Sequence, residues 1–212
     1  MSLFTDLLFS QYATYSTIDI VLELVAVFFG LISVWFAKQN KVVVYPTGMI
    51  STAFFVYLLY QWMLIGDMLI NGYYFIMSAY GWIYWMQKKE GKTLHPIAHM
   101  NRIEGGISFF LFLSSLVLVY KVYLMFGMWE NWTAYVDTFT TALFFVGMWL
   151  MARRKIEHWI FWIIGDLISV PLYFYKGLTI TSFQYIIFTV IAFYGYRAWK
   201  TSLNNTPQTA LE

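Results

Sequence analysis

The chain is expected to be an all-α integral membrane protein with seven transmembrane helices, and three observations predict it. The first is composition: 60% of the 212 residues are hydrophobic, 22% aromatic and only 11% charged, far too little charge to coat a soluble domain of this length. The second is a series of seven apolar runs, Ile18 to Phe36, Val44 to Leu64, Met68 to Met86, Ile107 to Phe126, Val136 to Met151, Trp159 to Phe174 and Thr179 to Trp199. Each approaches the ~20 residues a helix needs to cross ~30 Å of hydrocarbon, and each is continuous where a transmembrane strand would alternate. The third is the placement of the basic residues.

Lys38 and Lys41 follow the first run, Lys88, Lys89, Lys92 and Arg102 the third, Arg153, Arg154 and Lys155 the fifth, and Arg197 and Lys200 end the seventh. Those are eleven of the thirteen Lys and Arg; Lys121 and Lys176 are the exceptions. Short cytoplasmic loops are enriched in such residues, so the N-terminus is expected outside and the C-terminus in the cytoplasm. The order along the chain is then an N-terminal segment (1–17), a first three-helix bundle (18–86), a cytoplasmic loop (87–106), a linker helix with its outer loop (107–135), a second bundle (136–200) and a disordered tail (201–212). The first segment lacks the basic start of a cleaved signal peptide. It reads as an interfacial helix presenting Phe4, Leu7, Leu8 and Phe9, or as a frayed end. With no cysteine there is no disulfide, thiolate nucleophile or zinc-thiolate site.

An internal repeat sets the architecture. At a constant offset of 114, Trp35 meets Trp149, Lys41 meets Lys155, Leu58 meets Leu172, Leu64 meets Leu178, Tyr80 meets Tyr194, Gly81 meets Gly195 and Trp85 meets Trp199. Three helices end on the opposite side from their start, so a direct repeat would invert the second copy. One intervening span restores the orientation. The result is three plus one plus three with a pseudo-two-fold along the membrane normal, an arrangement of transporters that hold substrate near the midplane between their halves.

Asp166 lies about eleven residues past Lys155, roughly 16 Å into the bilayer. An ionisable group there is costly unless it faces a polar cavity or a partner. Asn71 sits on the third helix, Ser169 one turn after Asp166 and Gln184 on the seventh helix, and Trp159 and Trp162 share a helix face with Asp166. A carboxylate beside an aromatic face suits a flat cation. Trp35, Trp85 and Trp199 read as interfacial belt residues. Glu23, deeper than Asp19 on the first helix, is open to a structural or a functional role. Asp137 and Thr141, with Thr138 and Thr140, open the fifth helix, either as its cap or as part of an outer gate. His95 and His99 straddle Pro96 in a basic loop and read as solvated linker. No metal, cofactor or nucleic-acid partner is expected. Seven spans also occur in retinal photoreceptors, but the last span holds no Schiff-base lysine, and neither G-x-S-x-G nor H-E-x-x-H occurs to signal a protease.

Four stretches, "YPTGMISTAFF", "NGYYFIMSAYGWIYW", "VDTFTTALFFVGMWLMARRKIEHWIFWIIGDLISVPLYFYKGL" and "TSFQYIIFTVIAFYGYRAW", resemble the PnuC family of bacterial vitamin transporters. The resemblance runs from about Leu22 to Lys200. It implies a fold related to the SWEET sugar transporters, placement in the bacterial cytoplasmic membrane, no enzymatic activity, and facilitated diffusion with alternating access of an unphosphorylated vitamin. Nicotinamide riboside is the first expectation and thiamine the second. A cytoplasmic kinase acts downstream without necessary contact, and a homo-oligomer is left open. The chain carries Asn71 and Asp166 where familiar nicotinamide riboside members have Gln and Asn. A SWEET-like sugar transporter is the rival outside vitamins, and Asp166 discriminates because a neutral sugar gains little from a buried carboxylate.

Overall fold

The computed structural model describes residues 16–61, 65–129, 131–176 and 179–205. Among them are seven α-helices, α1 (Thr17–Lys38), α2 (Val44–Gln61), α3 (Ile65–Met86), α4 (Arg102–Met125), α5 (Trp132–Ala152), α6 (His158–Tyr175) and α7 (Thr179–Asn205), and a two-stranded hairpin of β1 (Lys88–Lys89) and β2 (Lys92–Thr93). By length and composition alone, α1, α4 and α5 are apolar enough to cross a membrane. The seven helices coincide with the seven apolar runs.

Local chemistry explains the boundaries that differ. Asn101 and Glu104 form a reciprocal capping box, so α4 starts at Arg102, five residues before Ile107. α5 starts at Trp132 with Asn131 as N-cap. Asp137 is therefore one turn inside α5, and the capping role falls away. α7 continues to Asn205, so the expected disordered tail begins as helix; residues 206–212 and the interfacial residues Phe4 to Phe9 lie outside the described part. Pro171 sits within α6, and the Ser182 hydroxyl on α7 donates to the Val170 carbonyl beside it at 2.8 Å.

Helices α1, α2 and α3 pack in sequence, as do α5, α6 and α7, while α4 rests on α5 and barely touches α3. The two groups meet where α1 packs on α7 and α3 on α5. Exchanging α1 with α5, α2 with α6 and α3 with α7 turns each of those contacts into the other.

The basic end of the bundle repeats this exchange atom by atom. α1 ends in a turn in which the Gln39, Asn40 and Lys41 amides donate to the carbonyls of Trp35, Ala37 and Phe36; α5 ends with Arg153, Arg154 and Lys155 donating to Trp149, Met151 and Leu150. Every residue in the second set is 114 beyond its counterpart. Asn40 and Arg154, both at positive φ (54° and 58°), meet through Arg154 Nε donating to Asn40 Oδ1 at 3.0 Å. Trp85 Nε1 donates to the Met151 and Ala152 carbonyls at 3.3 and 3.2 Å, and Trp199 Nε1 donates to the Ala37 carbonyl at 2.9 Å. Each group's last tryptophan thus adds a hydrogen bond to a carbonyl at the end of the other group's first helix, where fewer intrahelical donors reach the carbonyls, and so ties the two groups together. Trp85 and Trp199 are 3% and 1% exposed. They are not belt residues but the core of a seam with Tyr45, Met151 and Trp159; Trp35 alone of the three remains exposed.

The loop from 87 to 101 straps this end. Ala98 N donates to the Arg154 carbonyl and Ile156 N to the Ala98 carbonyl, Arg154 Nη1 reaches the His95 carbonyl at 2.8 Å, and His99 Nδ1 lies 2.8 Å from Glu157 Oε1. His95 stacks on Tyr84 at 3.6 Å with its Nε2 2.8 Å from Gln87 Oε1. Partial burial, then the charges of Arg153, Arg154 and Lys155, hold the His95 pKa below its usual value. A depressed histidine pKa stabilises the docked loop above the unfolded value near 6.5 and loses that contribution as pH falls below it. The protection of the 94–98 amides, measured as exchange relative to the intrinsic rate at each pH, is expected to fall between pH 7 and 5.5, and His95→Gln should flatten that change.

Candidate functional site

A cavity of about 420 Å³ lies between the two helix groups, within the ~300–1,000 Å³ usual for small-molecule sites. Its lining comes largely in pairs at the same offset of 114. Glu23 and Asp137, Val27 and Thr141, Gly48 and Trp162, Thr52 and Asp166, Ile70 and Gln184, Asn71 and Tyr185, and Tyr74 and Phe188 all face it. The cavity is therefore centred where the two groups exchange, and its chemistry is unequal on the two sides.

Two close helix approaches create that inequality. In α1 and α2, a methyl group added at Gly30 would stand 3.1 Å from Ser51 Oγ, and one at Gly48 3.0 Å from Ser33 Oγ. The counterpart contacts in α5 and α6 place the glycine on the other partner: Gly165 faces Phe144 and Gly147 faces Trp162, where an added methyl would stand 2.5 and 2.4 Å away. Small hydroxylic residues line the first wall, Ser33 and Ser51 donating to the Val44 and Ala26 carbonyls at 2.8 Å each. The second wall is aromatic. Tyr185 stacks on Tyr173 with centroids 5.1 Å apart and on Phe144 at 6.0 Å.

Asp166 sits at the middle of α6, about 12 Å from either end at 1.5 Å per residue, and is 4% exposed. Tyr74 and Tyr185 lie within electrostatic reach of it. Four carboxyl residues, Glu23, Asp67, Asp137 and Asp166, line the cavity, and no Lys, Arg or His is among its described lining residues. Asp137 is paired with Lys176 at 2.5 Å, and Asp67 stands at the same acidic end. Asn71 donates its amide to the Asp67 carbonyl at 3.0 Å, which leaves its oxygen as an acceptor.

Seven residues expected from the sequence therefore converge here: Glu23, Asn71, Asp137, Thr141, Trp162, Asp166 and Gln184. Two do not. Trp159 is fully buried in the seam, edge-on to Trp199 and against Gly195; it shares Asp166's face but lies too near the basic end. Ser169 is 1% exposed and off the lining. Three residues at about 100° each carry it about 60° off Asp166's direction, whereas Tyr173, seven residues on, returns to within about 20°. Tyr173, Tyr185, Tyr74 and Phe144 were missed because buried aromatics on an apolar helix resemble ordinary core. The repeat held the signal, since Tyr185 occupies the position of Asn71 and Thr52 that of Asp166.

A bundle of apolar helices around a mid-helix cavity that holds buried carboxyl and amide groups is transporter geometry, and comparison with known proteins agrees. The family profile described as nicotinamide mononucleotide transporter matches residues 20–201. The nicotinamide riboside transporter PnuC of Escherichia coli (strain K12) is 25% identical over 213 residues, covering 90% of this chain and 89% of that protein. The riboflavin/roseoflavin transporter RibM of Streptomyces davaonensis is 25% identical over 142 residues, 64% of each chain. The crystal structure of the vitamin B3 transporter PnuC superposes with a TM-score of 0.64 at 21% identity, over 90% of this chain and 85% of that one, a likeness of fold. The chain belongs to the nicotinamide mononucleotide transporter family, a family of membrane transporters, as the resemblance to PnuC implied.

Proposed function

We propose that the chain carries an unphosphorylated vitamin with a cationic aromatic ring, nicotinamide riboside before thiamine, by facilitated diffusion with alternating access. The observation that carries this reading is Asp166 at mid-helix, in a cavity with one aromatic wall and no basic residue among its described lining residues. A flat cation gains both charge pairing and ring stacking there. A mononucleotide would bring its phosphate among four carboxyl groups of which Asp137 alone is paired with a lysine, which costs rather than gains. A neutral sugar would leave Asp166 unused.

The halves act as parallel three-helix units joined by α4, supported by the contacts that recur at an offset of 114. The basic end faces the cytoplasm, with the N-terminus outside, in the bacterial inner membrane. Because the cavity is built within one chain, each unit of any homo-oligomer keeps its own, and a cytoplasmic kinase withdraws the product without touching the carrier. The seam at the basic end and the Asp137–Lys176 pair at the other are the places where the path must open.

Liposomes containing the protein are expected to take up nicotinamide riboside, with thiamine second and riboflavin and glucose far behind. Initial rates should not change when proton and sodium gradients are collapsed. Strict dependence on either gradient refutes diffusion, and preference for glucose refutes the cationic substrate.

A further inference from the structure

Between α3 and α4, outside the cavity, the helices diverge to leave a crevice of about 320 Å³ at their basic ends, lined by Tyr80, Ile103, Ile107, Trp149 and Arg153 among others. Its floor carries uncompensated positive charge. Arg153 Nη2 lies 3.4 Å from Glu104 Oε1, but Lys155 Nζ holds the other oxygen of the same carboxylate at 3.0 Å. Two cations therefore share one anion. The Arg153 side chain is 30% exposed. Its remaining fixed partners are neutral: the Tyr80 hydroxyl at 3.3 Å and the Tyr84 ring at 4.6 Å. Arg102, the first residue of α4, is exposed and adds a further positive charge at this end of the helix.

Above this floor run two apolar stripes. Ile76 continues from Tyr80 along α3 and Phe110 continues from Ile103 and Ile107 along α4 towards the midplane, while Ile83 flanks Tyr80 on the side of the basic end; all six are well exposed, and their spacing keeps each set on one helix face. A cation at the membrane surface with apolar walls extending toward the midplane matches one chemistry. We infer that an anionic glycerophospholipid occupies this crevice, its phosphate on Arg153 and an acyl chain between the two stripes. Basic interhelical pockets select anionic headgroups, each cation contributing about a factor of five.

The test uses the full chain in mild detergent, with phosphatidylglycerol and phosphatidylcholine supplied at equal concentration and bound lipid read by native mass spectrometry. Wild type should retain phosphatidylglycerol over phosphatidylcholine by roughly five-fold or more. Arg153→Gln removes the phosphate contact, and Ile107→Trp fills the crevice while leaving every charge in place. Both should bring phosphatidylglycerol down to the phosphatidylcholine level, and Lys200→Gln, a cation at the same end outside the crevice, should not. If Arg153→Gln fails to fold, Ile107→Trp decides alone. Equal retention of the two lipids by wild type, or full retention by Ile107→Trp, overturns the inference. So does a chain dimer that Ile107→Trp abolishes in the absence of lipid.

Discussion

Asp166→Asn should weaken binding of a cationic vitamin by roughly 5- to 150-fold, about 1–3 kcal/mol, the range of a charge-assisted contact. The amide keeps the shape of the carboxyl group and removes its charge, and among the described residues no basic one lines the cavity to take over or to be left unpaired. An uncharged dihydropyridine analogue of the same vitamin should bind the two proteins nearly alike. Paired titrations of charged and uncharged ligand on both proteins, at two pH values, make the measurement. Equal losses for both ligands would mean damage to the fold. No loss for either would remove Asp166 from the binding site. A shift in preference among cationic vitamins, with affinity kept, would make Asp166 a selector instead of an anchor.

Gly195→Ala should lower thermal stability by about 1–3 kcal/mol, a drop in Tm of several degrees for a chain of this size. The added methyl would stand 2.5 Å from Cζ2 and Cη2 of Trp159. That ring is fully buried, and its neighbours His158, Trp162 and Trp199 close it in. Gly72→Ala on α3 is the control, since nothing lies within 4 Å of its added methyl. It should be neutral or stabilising by up to about 1 kcal/mol through helix propensity. Thermal unfolding in detergent separates the two; equal stability of both variants with wild type would mean that the seam is loosely packed.

The fold was legible because its two strongest signals are one-dimensional. Apolar run length predicts spans, and a fixed offset predicts a repeat, without reference to neighbours. The cavity was legible only through its polar members: Asn71, Asp166 and Gln184 stand out against an apolar background. Tyr185 and Phe144 do not, because what makes them wall rather than core is the diverging path of neighbouring helices. The tryptophans show the same limit. Trp35, Trp85 and Trp199 all sit near helix ends, where a belt is the default. Whether an indole N–H meets lipid headgroups or a carbonyl of another helix depends on the partner across the seam, which sequence spacing does not contain.

That seam also constrains how the chain is made. The Ala37 carbonyl at the end of α1 already accepts from the Asn40 amide of its own turn, and it takes a second hydrogen bond from Trp199, among the last helical residues to leave the ribosome. Trp85, in turn, adds its bonds to the Met151 and Ala152 carbonyls only once α5 is made. Truncation before α7 would leave each turn intact but would uncover the core that Trp199 fills with Trp85 and Trp159, the kind of surface that membrane quality control removes. Closure of the seam is thus a late event in which the tail of the chain packs against its head.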